Sequence, residues 1–349
     1  VIDFATMKDV VPMEDVKLEG RLETDLRWDA LMSTIEQELY DQVDLEGMLL
    51  LEGMILDSPE LPVPLALEKV RMLFNPRLVE LSDFDLKLGS SDIHMTGELE
   101  NFIPYIFNNQ TVSGHLSLTS TLLNANDLLP EDEGSVDESV NDSIVPVPPD
   151  SLAQAFGFHI PENLAFAVDV DVQRIEYKDL VIENMDGSMQ IIGGVAGLDH
   201  MQMDMVEGSI ESTGWIDTRG EYAEVDFILE IRDVDIPSAY ESIVSVKKLI
   251  PMAKFCRGKA NIEMQYHSLM DNTLTPLYES IDAKGDAYTK GLQFQKLDEF
   301  IPLAELLRSE KFTEMAPDEV DVGFTVQAGR IIFNPFVMEV DDSKFKVYG

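Results

Sequence analysis

Between Asp186 and Arg232 apolar and polar residues alternate so regularly that the chain has little freedom to be anything but strand. Met201, Met203 and Met205 alternate with His200, Gln202 and Asp204, and Val225, Phe227, Leu229 and Ile231 alternate with Glu224, Asp226, Ile228 and Glu230. A period of two sends one set to each side of an extended backbone. Gly208-Ser-Ile-Glu-Ser-Thr-Gly214 and the turn-rich Trp215–Gly220 lie between the two runs. The stretch therefore reads as a meander of antiparallel neighbours, each apolar on one face and mostly acidic on the other.

The same pattern extends along the chain. Val16–Leu26 and Val43–Leu56 read as strands, and Trp28–Tyr40 as a helix with Trp28, Leu31, Met32, Ile35 and Leu39 on one face. Leu164, Phe166, Val168, Val170 and Val172 share a strand face, with Ala165, Ala167, Asp169 and Asp171 opposite. Ser238 with Glu241 has the form of a capping box for a helix that Pro251 ends, and Pro302 opens another. Ala260–Tyr266, Tyr288–Phe294, Val320–Val326 and Arg330–Phe333 complete the strands. The fold class that follows is mainly β: an elongated, strongly curled antiparallel sheet with a few covering α-helices. Pro130–Pro149, rich in acids, Ser and Pro, is a linker or mobile loop between an N-terminal β region (1–129) and a C-terminal one (150–349).

A five-residue pattern, apolar-x-Gly-x-apolar, recurs at Leu18–Leu22, Leu45–Leu49, Leu51–Ile55, Met95–Leu99 and Val112–Leu116. Glycine in the apolar-facing position of a strand costs roughly 0.5–1 kcal/mol against alanine, so the recurrence needs a cause. Two readings are open. Either these glycines mark bulges and close backbone approach, or they keep the apolar face clear for something that is not side chain.

The formal charge of −41, from 66 acids against 25 bases, repels polyanions and excludes nucleic acid as a ligand. Cys256 is the single cysteine, so no intrachain disulfide forms. No apolar run reaches the roughly 18–20 residues of a membrane span. The chain opens on Val1 inside one alternating pattern and stops on Gly349 in another, and is expected to be a fragment whose anchor lies elsewhere. His94, His115, His159, His200 and His267 never fall at metal-ligand spacing, and the acids after Pro130 lack the spacing of a calcium loop. Gly193-Gly194-Val195-Ala196-Gly197 is followed by no helix and cradles no phosphate. Neither catalysis nor a cofactor is expected.

Val16-Lys-Leu-Glu-Gly-Arg-Leu22, Met95-Thr-Gly-Glu-Leu99 and Val112-Ser-Gly-His-Leu-Ser-Leu-Thr-Ser-Thr-Leu-Leu-Asn-Ala-Asn-Asp-Leu-Leu129 resemble the AsmA family of bacterial envelope proteins. Gly208–Gly214, Val234-Asp-Ile-Pro237, the strand after Cys256-Arg-Gly258 and Ala283-Lys-Gly-Asp-Ala287 are similar to that family's C-terminal region. The resemblance implies a curled sheet with an apolar groove, held in the periplasm by one N-terminal inner-membrane helix and contributing to outer-membrane biogenesis. It also implies phospholipid as cargo, and it carries over no catalytic residue. The acidic insertion after Pro130 and the missing anchor depart from the family pattern.

The expected function is non-catalytic handling of phospholipid or another acyl-chain lipid. By alternation alone, Leu164, Phe166, Val168, Met201, Met203, Met205, Phe227 and Leu229 line the groove. The 17 methionines suit an irregular apolar partner. The alternative is a periplasmic scaffold that binds envelope proteins by an exposed sheet edge.

Overall fold

The computed structural model describes residues 1–4, 17–29, 33–34, 37, 43–57, 63–75, 78–128, 159–271, 275–295, 314–315, 319–340 and 343–347. The linker stretch and the helix expected at Pro302 lie outside them. Two compact units emerge, Val1–Val172 with Ile191–Gly194, and Gln173–Gln190 with Val195–Gly349. The division therefore falls inside a strand.

The first unit is built from β1 (Ile2–Asp3), β2 (Lys17–Asp29), β3 (Asp44–Asp57), β4 (Leu65–Phe74), β5 (Leu78–Leu88), β6 (Ser91–Glu100), the helix α1 (Phe102–Asn108), β7 (Val112–Ser120), β8 (Leu123–Asn124) and the start of β9 (Leu164–Tyr177). From β2 to β7 each strand pairs antiparallel with the next, and β7 then pairs parallel with β9, Val112 opposite Leu164. Opposite residues share a face, so Val79, Leu99, Gly114 and Phe166 form one apolar row and Leu81, Gly97, Leu116 and Val168 the next. Phe102 and Ile103 of α1 cover one end of this face, against Leu45, Phe74 and Val79.

The second unit contains the rest of β9, then β10 (Leu180–Ile192), β11 (Val195–Met205), β12 (Gly208–Asp217), β13 (Ala223–Asp235), α2 (Ile236–Ser242), α3 (Val244–Leu249), β14 (Cys256–Met270), β15 (Asp282–Gln295), β16 (Glu314–Met315), β17 (Glu319–Gln327) and β18 (Arg330–Phe333). A separate hairpin follows, β19 (Phe336–Val340) with β20 (Ser343–Val347). The meander expected from Asp186 to Arg232 is there, with Met203 opposite Ile210 and Ile210 opposite Ile231. It continues antiparallel through β14, β15 and β17 to β18. Core clusters around Val322 and Phe324 are sealed by Ile236 of α2, Leu249 of α3 and Tyr278.

The mainly β, largely antiparallel expectation holds, but the sheet is not strongly curled. Strong curvature needs repeated bulges along the strands, and among the described residues these pairings carry one or two register shifts each. Trp28, expected to open a helix, lies near the end of strand β2 instead, opposite Leu45, while Ser33 and Thr34 are helical and most of the remainder of that stretch lies outside the described residues. Its apolar spacing fits both periods, and pairing along β3 decides. The expected capping box is also displaced: Asp235, not Ser238, caps α2, its carboxylate accepting from the Ser238 N–H at 2.9 Å. A break at Ile243 (φ −104°, ψ 110°) then divides the expected single helix into two.

The strand glycines answer to the backbone. At Gly114 φ is 156°, and a Cβ there would collide with the Glu98 carbonyl on β6. Gly53 has φ 61° with open space around the missing Cβ. Gly114→Ala is therefore expected to cost about 2 kcal/mol or more, strain plus a displaced neighbour, whereas Gly53→Ala costs about 1 kcal/mol of left-handed strain alone. Urea denaturation of the two variants measures the difference, and equal losses would refute close approach as the cause.

Candidate functional site

The eight residues expected to line a groove fall into two sets, one per unit. In the first, Leu164, Phe166 and Val168 lie on the apolar face of β9; Phe166 and Val168 are buried, Leu164 partly so. Beside them on the same face Met95, Leu116 and Leu118 are only half-buried. At the far edge Leu26 and Trp28 are each 41% exposed, with Trp28 edge-on to Phe107 of α1 at 5.8 Å. This face is therefore dry at β4, β5 and β9 and accessible between and beyond them.

In the second unit Met201, Met203, Phe227 and Leu229 again share one face, with Ser212, Ile210 and Gly214 between them. Met201 is wholly buried, and Met203, Phe227 and Leu229 are half-buried. Met201 is thus core, held by the neighbours that β12 and β13 supply. Met205 sits apart, at the β11–β12 turn. There it lines a polar hollow of about 610 Å³ with Arg174, Glu183, Asp204, Arg232 and Asp233.

The opposite face of this unit carries a row of carboxylates. Glu211, Glu230, Glu263 and Asp286 stand directly opposite one another on β12, β13, β14 and β15. Arg232 is the cation among them, 2.7 Å from Glu230 and 3.9 Å from Glu211. These partners, Glu230 first, raise its pKa. Beyond Asp286, Asp321 joins the same polar hollow of about 380 Å³. Among the described residues no group of three or more His, Cys, Asp or Glu is arranged to hold a metal ion.

Titratable groups are perturbed for structural reasons. Hydrogen bonds from Arg219 hold the Asp217 carboxyl down at about 2, securing the turn after β12. Asp127 is lowered by the hydroxyl and N–H of Ser90. Asp92 is lowered by the backbone N–H groups of Thr121 and Leu122, which outweigh its partial burial. Burial pushes the Cys256 thiol up to about 11, so it stays protonated and unreactive near neutrality. His94 meets Asp85, and His115 meets Asp169 at 2.8 Å, both as cross-strand pairs on wet faces.

Sequence reasoning missed α1. Its apolar Phe102, Ile103, Ile106 and Phe107 were legible at helical spacing, although Pro104 obscured them. No helix among the described residues is long and apolar enough to cross a membrane. No protein-family model matches the chain, and searches of characterised proteins and of solved structures return no match.

Two expectations test these electrostatics. Glu263→Gln removes the charge between Glu230 and Asp286, and should stabilise the protein by about 0.5 kcal/mol at low salt, fading at high salt as screening replaces it. A loss of stability would show that the row is already neutralised. For Asp217 the lowered folded pKa means that its contribution is complete above its ordinary 3.8 and disappears as pH falls through about 2. The stability gap between wild type and Asp217→Asn, followed by thermal melts, should close across that window, and a gap unchanged at pH 2 would exclude the Arg219 contact as its source.

Proposed function

We propose that this chain is a non-catalytic envelope protein that handles phospholipid or another acyl-chain lipid on the apolar face of its sheet. The observation that carries the reading is the apolar face of the first unit, where Met95, Leu116 and Leu118 stay half-buried beside a buried Phe166 and Val168. The seven-residue α1 covers one end of this face, against Leu45, Phe74 and Val79. An acyl chain laid along such a face gains roughly 0.8 kcal/mol per methylene buried, and the flexible thioether of Met95 adapts to it. The likeness to the AsmA family supplies the setting: the periplasm, an inner-membrane anchor and a part in outer-membrane biogenesis.

A second reading has its own observation. Beyond the short pairing of β1 with Leu22 and Arg21, no described residue pairs with the outer edge of β2. Residues Thr24–Asp29 there are exposed. Such an edge is a template for strand addition, and a scaffold would bind an envelope protein through it.

Native mass spectrometry of the detergent-free protein, with organic extraction, decides between them. Phospholipid at defined stoichiometry, lost in Leu116→Asp and Leu118→Asp variants that still melt cooperatively, is the expected result. An apo mass, together with a protein partner whose binding is abolished by Thr24→Pro, would replace lipid handling with the scaffold.

A further inference from the structure

Residues 242–262 form a run without a single acid in a chain that has 66 of them, and they include Lys247, Lys248 and Lys254. These three lysines are exposed, as are Val244 (44%) and Met252 (54%) among them. Elsewhere cations such as Arg174, Arg232, Lys69 and Lys87 are engaged by carboxylates. Lys248 instead lies over the Tyr278 ring at 4.2 Å and Lys254 over Phe255 at 4.6 Å. Among the described residues no carboxylate pairs with these three lysines, and their ammonium groups are exposed.

We infer that α3 and the turn of 3-10 helix after it (Pro251–Phe255) form a docking surface for a bilayer bearing anionic lipid headgroups, with Val244 and Met252 entering the interface and the lysines meeting the phosphates. Exposed apolar side chains between lysines are the composition of an interfacial segment, because the lysine stems lie along the acyl boundary while their ammonium groups stay with the headgroups. Leu249 of α3 packs on the apolar side of the sheet, against the cluster of Ala283 and Phe324. The Glu211, Glu230, Glu263 and Asp286 row occupies the other side. Those acids face away from the patch, on the other side of the sheet. A second copy of this chain is a poor occupant, since two molecules of charge −41 repel.

The inference deepens the lipid-handling reading by naming where a donor or acceptor bilayer is met, yet it is tested separately. Flotation is measured with vesicles of phosphatidylcholine alone and of phosphatidylcholine mixed with phosphatidylglycerol. The wild type should float with the mixed vesicles only, and the triple variant Lys247→Gln, Lys248→Gln, Lys254→Gln should partition about 100-fold less, as the loss of three surface cations dictates. Met252→Asp should weaken flotation without changing its salt dependence. Equal flotation with both vesicle types, none with either, or a triple variant that floats like wild type would overturn the surface. So would a concentration-dependent dimer in sedimentation that the triple variant abolishes, which would assign the patch to a second copy. Lipid co-purifying with the triple variant, measured alongside, separates the two ideas: cargo retained with flotation lost leaves the groove intact, and cargo absent with flotation retained leaves the docking surface intact.

Discussion

Backbone pairing between long neighbouring strands is the constraint on which everything else here depends. Once Glu230 is opposite Glu263, Ile231 must be opposite Ile262, because opposite residues share a face and successive residues alternate. A slip of one residue would drive a row of carboxylates into the core and expose Val225 and Ile231. The register is therefore held by the cost of burying charge more than by any single contact, and a surface ion pair such as Arg232 with Glu230 adds at most about 1 kcal/mol. Like charges facing one another on the wet side are the tolerated consequence of the apolar order on the dry side.

Glycine enters at the points where this ladder draws two backbones together. Gly114 stands between Leu99 and Phe166 on the apolar face, and the space a side chain would take is filled by the Glu98 carbonyl. Gly20, Gly47, Gly97 and Gly114 do not hold that face open, since a Cβ at each would meet neighbouring backbone. What accessibility it has lies at Met95, Leu116 and Leu118, large residues that are half-buried.

The strands were legible from Asp186 to Arg232 and at β14, β15 and β17 because a one-sided sheet imposes a period of two that no helix mimics. Trp28 was misread because Trp28, Leu31, Met32 and Ile35 satisfy a helical period equally well, and only the pairing of Trp28 with Leu45 distinguishes them. Alternation also identified Met201, Phe166 and Val168 as apolar-facing, which they are, but alternation reports the face and not its cover. Depth depends on neighbours distant in sequence: Ser212 and Leu229 around Met201, Gly114 and Leu116 around Phe166 and Val168. Asp235 as the cap of α2 was hidden for a related reason, since Ser238 offered the same chemistry three residues later.

Charge distribution carries the argument furthest toward function. A protein with 66 acids and a formal charge of −41 repels anionic surfaces over most of its sequence. Glu211, Glu230, Glu263 and Asp286 stand where the register demands polar residues, on the wet face of the strands, while α3 on the dry side carries Lys247 and Lys248. Leu249 of α3 packs against the apolar cluster at Phe324 and Val326, so any bilayer drawn to Lys247 and Lys248 meets the molecule from the dry side of its sheet. The opposite approach would bring headgroup phosphates against Glu230 and Glu263, where repulsion is strongest. The same alternation that folds the sheet therefore also sets the acid row and the lysines of α3 on opposite sides of it, which is what the docking proposal rests on.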